Sequence, residues 1–580
     1  MANNYTYGIG HNSSNYEDKE FFEAMQEFAQ HQLYRNTTAA QWEEIASLLD
    51  PPSRNTFFYG TYNWPGQKLT QRQVDATGMV SLHRFGAILD SLLTPRNMFW
   101  HGLEADDPYV MKDRDTQLWF EQATRILFKA RYAPIANFSS QNQNNYQGLG
   151  AYGTAGMFID SFQGHDPRIK GLRYKSIPLG QLFIRENHQG LVDGFIRWWR
   201  MTARQCMQKW PNRFPEELRP ALEQNSEQPY DFIHRVCPRD DYDPQRLDAR
   251  GKLFKSQYFC IQSKTMLQEE GGYNTFPIAC SRYDQTPNEL YGRSPAMMVL
   301  PALKTLNAQK KSFLKQAHRA ADPVLLTADD GLVDMSLRPG SMNKGGVSSD
   351  GKLMVHVLPT GEIQISKEAM AEEKGLIQDV FLVALFQIME KSPTMTATEV
   401  IERVNEKGIL LAPTVGRQQS EYLGPMIERE LDVLSSQRLL PPMPPRLREA
   451  GGAYSTVYTS PLSKAMKSQE TAGFMRVMSS LQEVVKITGD TSYFDRFNFD
   501  VIVPAMSEQQ SVPASWMSSD KQVAAKAQAR AQAQQRQQQI EAAPAKAALM
   551  NAQTKQAAAG QAQPQQPGQA PAQQAAPQGA

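Results

Sequence analysis

Two glycine-rich stretches have spacings that elsewhere cradle phosphate. The first, Gly148-Leu149-Gly150-Ala151-Tyr152-Gly153, satisfies G-x-G-x-x-G. That pattern holds a dinucleotide only when a strand leads in and a helix leads out, so that pyrophosphate meets free amide donors. Here an Asn- and Gln-rich segment leads in and the strand-like GMFID leads out, which favours a tight turn. The second, Gly346-Val347-Ser348-Ser349-Asp350-Gly351-Lys352-Leu353, nearly matches the phosphate loop G-x-x-x-x-G-K-[ST]. Leu353 has no hydroxyl for magnesium, Asp350 repels phosphate, and Asp350-Gly351 between β-type runs signals a hairpin. Asp240, Asp241 and Asp243 have the chemistry to gather a hard cation, but no further carboxylate motif accompanies them and a solvated loop accounts for them. H-E-x-x-H and G-x-S-x-G are both absent from the sequence. Enzyme chemistry has no foothold in these motifs, and no cofactor or metal is expected.

A different chemistry is written along Ser294 to Ala321. At 100° per residue, Lys304, Lys311, Lys315, His318 and Arg319 fall within an arc of about 100°. Leu303, Leu306, Phe313 and Leu314 lie largely on the other side, and no acid occurs between 294 and 321. Such a stripe is either a solvated face or a surface for phosphate, where single cations contact the backbone of nucleic acid without reading bases. The formal net charge of +1 supplies no global attraction, so any such surface must be local.

The elements that must position these residues follow from periodicity and punctuation. Two helical patterns run from Asp18 to about Ser47, with a capping-box spacing at Thr38 and Gln41 for the second, and Pro51-Pro52 ends it. Residues 76–94 and 114–131 read as helices, and short runs such as MFIDSF, LFIRE and FIRWWRM between about 155 and 290 read as strands. Ser294 as N-cap and Pro295 at the first turn open a long helix. Residues 322–366 alternate turns with β-type runs (PVLLT, LMVHVL, EIQIS), and a second long helix follows over 367–390. The stretch KSPTMTATEV, 391–400, then breaks the chain at Ser-Pro and restarts a helix through a capping box of Thr396 and Glu399. That third helical region reaches about Arg438, interrupted at Gly408 and Pro413, and a smaller one spans about 461–488. The fold class is α+β.

Four cysteines without a C-x-x-C pair suit a reducing compartment. The polar N-terminal stretch gives no sign of a signal or anchor. The longest apolar run, Val380–Met389, is about half of the ~20 residues a membrane span needs. Beyond about 518 the composition collapses to Ala, Gln and Pro and reads as disordered, with a frayed helix in its first part.

Several stretches together resemble the portal, or head-to-tail connecting, proteins of short-tailed bacteriophages. They are WEEIASLLDPPSRNTF (42–57), FGAILDSLLTPRNMFW (85–100), ANFSSQNQNNYQGLGAYGTAGMFI (136–159), FIRWWRMTARQCMQKWP (195–211), ELYGRSPAMMVLPALKTLN (289–307) and MTATEVIERVNEKGILLAPTVGRQQSEYLGPMIERE (395–430). The last two are the most specific in order and spacing. The resemblance implies a portal fold: flexible N-terminus 1–17, α+β wing 18–293, stem helix 294–321, β-containing clip 322–366, stem helix 367–390, tunnel loop 391–395, long wing helix 396–440, helical crown 441–517 and disordered tail 518–580.

It also implies a non-enzymatic homo-oligomeric ring of about twelve copies at one capsid vertex, assembled in the host cytoplasm. Double-stranded DNA would pass through it during packaging and ejection. The implied partners are the terminase, the major capsid protein, the scaffolding protein and tail adaptor proteins, with no membrane. On this mapping Lys391, Lys304, Lys311, Lys315 and Arg319 are candidate channel residues, and Thr396 with Glu399 is a structural cap. In a ring the stem cations have a competing role as partners of Glu368, Glu372 or Glu373 on neighbouring helices. Two alternatives stay open: another virion component such as a tail adaptor, and a nucleotide-binding enzyme using a Gly-rich loop.

Overall fold

The computed structural model describes residues 16–61, 63, 66–162, 164, 166, 168–327, 336, 338–359, 363–383 and 412–459, then 474, 476–487, 489, 497–499, 502–503, 506, 516–518, 522–537 and 550. The N-terminal half runs α1 (Tyr16–Leu49), α2 (Thr77–Leu93), β1 (His101–Ala105), α3 (Pro108–Met111), α4 (Arg114–Arg131), α5 (Phe138–Tyr152), β2 (Thr154–Ser161), β3 (Leu172–Ile177), β4 (Leu182–Glu186) and β5 (Val192–Thr202). Then come α6 (Ala203–Lys209), α7 (Arg219–Glu223), β6 (Pro229–Pro238), β7 (Phe254–Cys260), β8 (Thr265–Met266), β9 (Gly271–Tyr273) and β10 (Ile278–Arg282). The chain continues with α8 (Pro295–Ala321), β11 (Leu325–Thr327), β12 (Val355–Val357) and α9 (Ile363–Val380). A long helix from Ala412 to Ser436 and β13 (Tyr454–Tyr458) follow. The chain forms two compact units, Met1–Ser511 and Val512–Ala580. In the second, residues 522–537 are helical and exposed throughout, as an Ala/Gln sequence with no apolar stripe dictates.

The main sheet has the antiparallel order β4-β5-β6-β7-β8, with β9 beside β7, and a second sheet has the order β10-β2-β3. In β5 the pleat sends Trp198 and Trp199 to opposite faces. Trp198 packs with Phe28 of α1, Phe183, Ile196 and Ile233. Trp199 packs with Cys206, Trp210, Phe232, Tyr258 and Cys260 beneath α6 and α7. The sheet is therefore covered on both sides, which its near-continuous apolar runs require.

The sequence reading and the structure part company at several elements, each time for a physical reason. The helices expected to meet at Thr38 are one helix, α1. Weak formers in NTT cost a few tenths of a kcal/mol each, whereas Arg35, 2% exposed, donates to the carbonyls of Leu179, Leu182, Phe57 and Gly180 at 2.9–3.2 Å. Buried Ala39 and Trp42 continue the same helix, and tertiary anchoring prevails. The G-x-G-x-x-G stretch, expected as a tight turn, is the end of α5, and only its last glycine turns the chain toward β2. A Cβ at Gly150 would lie 2.6 Å from the Phe85 ring of α2, so glycine lets the two helices touch. Gly153 closes α5 at φ +77 with Gly292 O against its Cα, a left-handed cap that favours glycine.

The β-type run EIQIS is helical over 363–366, so α9 (Ile363–Val380) starts ahead of the expected 367. Alternation over five residues is too short to fix a period, and a helix propagates backward through residues that do not break it. α9 ends at Val380, with Leu382 at φ 60; residues 384–390 of the expected helix lie outside the described residues. Pro413 is helical, and the residues before Ala412, where the expected interruption would show, lie outside the described residues. The irregularity comes later, as a π-helical turn over Gln418–Leu423 just ahead of Pro425; the widened turn leaves room for a ring that would clash with a regular helix. Gly408 and the stretch 461–473 lie outside the described residues, and 476–487 are helical.

Candidate nucleic-acid interface

α8 begins as read from the sequence: the Ser294 hydroxyl accepts from the Met297 amide at 3.0 Å and donates to Ala151 O at 2.9 Å. Its first three turns are embedded, with Met297, Leu300, Leu303 and Leu306 buried. Beyond Leu306 no residue of α8 is buried. The helix therefore leaves the body halfway along, and α9 packs beside it. The loop before α2 braces the exit: Asn307 Oδ1 accepts from Val74 N at 2.8 Å, and Lys374 of α9 reaches Asp75 at 3.6 Å. Burial works against the Asp75 carboxylate, but the Thr77 hydrogen bonds and Lys374 and Lys310 hold it below the usual carboxylate range.

The cation stripe divides at this exit. Lys304 is bound within the chain, its Nζ 2.6 Å from Glu44 Oε2 of α1, so it is a brace for α8 and not a free charge. Lys311, Lys315, His318 and Arg319 are exposed, and among the described residues none of them has an ion-pair partner, neither Glu372 nor Glu373 included. His318 and Arg319 occupy the last turn, where positive charge is also favoured by the helix dipole. Lys391, Thr396 and Glu399 lie outside the described residues.

Between α8 and α9 the chain makes a small β element. Leu325↔Val357, Leu326↔His356 and Thr327↔Val355 pair antiparallel, and a tighter hairpin projects inside it. There Gly351 N donates to Ser348 O at 3.0 Å and Ser348 N to Lys352 O at 2.8 Å, with Gly351 at φ +77. This is a three-residue hairpin loop with glycine at the left-handed position, so the near phosphate loop is a turn, as its Asp-Gly signal indicates. Asp241 and Asp243 are spent on arginines and a turn: Arg239 NH1 lies 3.2 Å from Asp241, Arg250 lies 3.4 Å from it, and Asp243 accepts from Gln245 N, while Asp240 is exposed. No group of metal-ligating side chains occurs among the described residues, and no described helix is long and apolar enough to cross a membrane.

Sequence reasoning missed the buried ion pairs that hold the Ala412–Ser436 helix. Arg131 Nε donates to Glu430 Oε1 at 3.0 Å, Tyr174 OH donates to the same carboxylate, and both charges are fully buried. Burial opposes the Arg131 charge, but Glu430 raises its pKa above the ordinary value. His101, 2.9 Å from Arg131, is pushed well below its usual range by burial and by that guanidinium; as a neutral ring its Nε2 accepts. Arg282 of β10 spans Glu421 at 3.0 Å and Glu186 at 2.9 Å, clamping the π turn to the sheet. The signal was present in the sequence: Phe120, Ala123, Leu127 and Arg131 share one helical stripe, and Met426, Ile427, Glu430, Val433 and Leu434 share another.

The α+β body thus projects a helix pair, a β insert and a face of exposed cations. The chain matches the family model described as bacteriophage head to tail connecting protein over residues 23–517. It is 25% identical over 509 residues to a probable portal protein of Bordetella phage BPP-1, covering 84% of this chain and 87% of that one. It is 24% identical over 517 residues to the portal protein of Salmonella phage epsilon15, covering 86% and 89%. The chain belongs to the bacteriophage head to tail connecting protein family.

Proposed function

We propose that this portal-type connector assembles as a ring of about twelve copies at a capsid vertex and conducts double-stranded DNA inward during packaging and outward during ejection. α8 and α9 are the stem, the β11–β12 insert the clip, residues 18–293 with the long helix of 396–440 the wing, and residues 441–517 the crown. Terminase docks on the clip and supplies the ATP chemistry, tail adaptors replace it, and capsid and scaffolding proteins hold the wing. The chain is a structural component without catalytic activity of its own. Lys391 contacts DNA from the tunnel loop, whose exit helix is capped by Thr396 and Glu399.

The observation that supports this reading most is the acid-free exposed face of Lys311, Lys315 and Arg319 beyond the point where α8 leaves the body. Single cations repeated around a ring hold phosphates weakly enough for DNA to slide. In vitro packaging with the variant K311E/K315E/R319E tests it: filled heads are expected to fall by about tenfold, while negative-stain images still show rings with a central hole. Unchanged packaging by intact variant rings refutes the lining role. Lys304 belongs outside this set, because its partner is Glu44.

A further inference from the structure

Three cations of the α+β body converge, and none of them forms an ion pair among the described residues. Lys175 lies on β3, Arg197 on β5, and Lys209 ends α6. Arg197 and Lys209 meet over one ring: the Arg197 guanidinium carbon is 5.0 Å from the Trp199 centroid and Lys209 Nζ is 5.7 Å from it. Lys175 approaches from the other sheet. It pairs across the strands with Phe158, and the Phe158 ring lies 6.0 Å from His234, which is the register partner of Arg197. Directly opposed residues share a face, so all three cations border one cleft between the sheets.

None of the three has a hydrogen-bond or ion-pair partner among the described residues. Arg197 is only 8% exposed, and its Nε is buried without an acceptor. A buried guanidinium without a counter-charge is strongly unfavourable. Lys209 is an exposed residue, yet its ammonium rests on Trp210 at 4.5 Å and Tyr258 at 4.4 Å. The one carboxylate that attracts it, Asp160, is engaged by Arg429 at 3.6 Å. His234 stacks on Tyr258 at 3.9 Å, bonds to Ser256, and is held neutral by burial and by Lys209 and Arg197. Nearby Arg173, which donates to Ile135 O, adds further positive charge. Burial and mutual repulsion pull Lys175 and Lys209 down to about 8.

We infer that this cleft binds a phosphate group, free or carried on a nucleotide or nucleic-acid backbone, with Arg197 as the buried anchor and Lys175 and Lys209 closing on it from the rim. Three uncompensated cations call for a multivalent anion rather than a single carboxylate, and a guanidinium presents the fork that fits a tetrahedral oxyanion. Lys175 and Lys209 are exposed, which leaves the cleft open to solvent. The site is independent of the channel reading, since none of its residues lies on α8.

Titration of the assembled protein with inorganic phosphate at low salt, followed by calorimetry, tests it. One phosphate per chain is expected, weakened about tenfold or more in K175Q/K209Q. Binding at pH 8.5 should take up protons, read by comparing buffers of different ionisation enthalpy, because the anion restores the charge of both lysines. R197M should abolish binding, while K175Q and K209Q keep the wild-type unfolding midpoint or raise it by removing repulsion. A short DNA duplex that displaces phosphate identifies a backbone source, and one that does not identifies a free anion; the site stands in both cases. Absence of saturable binding overturns it, as does equal binding by K175Q/K209Q. Binding by separated chains that vanishes on assembly also overturns it, because a neighbouring copy then fills the cleft.

Discussion

Arg131 and Glu430 place opposite charges on the apolar stripes of two helices, and both are fully buried. Removing one partner leaves an uncompensated charge in a close-packed interior, at a cost of about 3–5 kcal/mol. Removing both, with their hydrogen-bonding neighbour, removes the penalty as well as the pair. R131M is therefore expected to lower unfolding free energy in denaturant titration by that amount, whereas R131M/E430L/Y174F recovers most of it. Equal losses in the two variants would show that the pair is not coupled in this way. The pair was half legible in the sequence, since a charge on an apolar stripe demands a partner. Which partner was not, because 299 residues separate the two and only the fold brings them together. Lys304 shows the reverse: its stripe was legible, but Glu44 on a distant helix was needed to show that it is a brace.

Helix starts and caps were the most legible elements, because they depend on neighbouring residues. Ser294-Pro295 and residues 114–131 stand where local rules put them. Continuity was poorly legible, because it is decided by what a helix packs against. α1 is the case in point, since its middle is fixed by Arg35 and its first half by Glu27. Glu27 is held by His31, by Arg235 of β6 at 2.7 Å and by Arg185 of β4 at 3.5 Å. Burial opposes its charge, yet these partners bring its pKa from 4.5 to about 2. The folded value is depressed, so this contribution is fully present above about pH 4.5 and is lost as pH falls toward 2. Allowing for partial exposure it amounts to about 2 kcal/mol. E27Q should lose that amount at pH 7 and show a shallower decline of stability between pH 4.5 and 2 in acid unfolding. A parallel acid limb in the variant would mean that α1 is not fastened to the sheet through this carboxylate.

At the scale of the molecule, the chain separates a part that holds itself together from a part that does not. The body is built on a large buried cluster running from Ala39 to Leu447. Among the described residues from 307 to 359 none is buried, and Val324, Met342, Val347, Leu353 and Val357 stand more than half exposed. An apolar set so placed adds nothing to the stability of one chain, and its natural use is contact with other copies in the proposed ring. The connection can be cut cleanly, because Leu358 N donates to Val324 O at 3.0 Å and the two strands enter and leave side by side. Replacing residues 325–357 by a short Gly linker should therefore leave the thermal midpoint of the body within about 2 °C of wild type. The same change should shift sedimentation from rings to smaller species. A large fall in midpoint would place the insert in the folding core, and intact rings would place the assembly contacts wholly in the body and the helix pair.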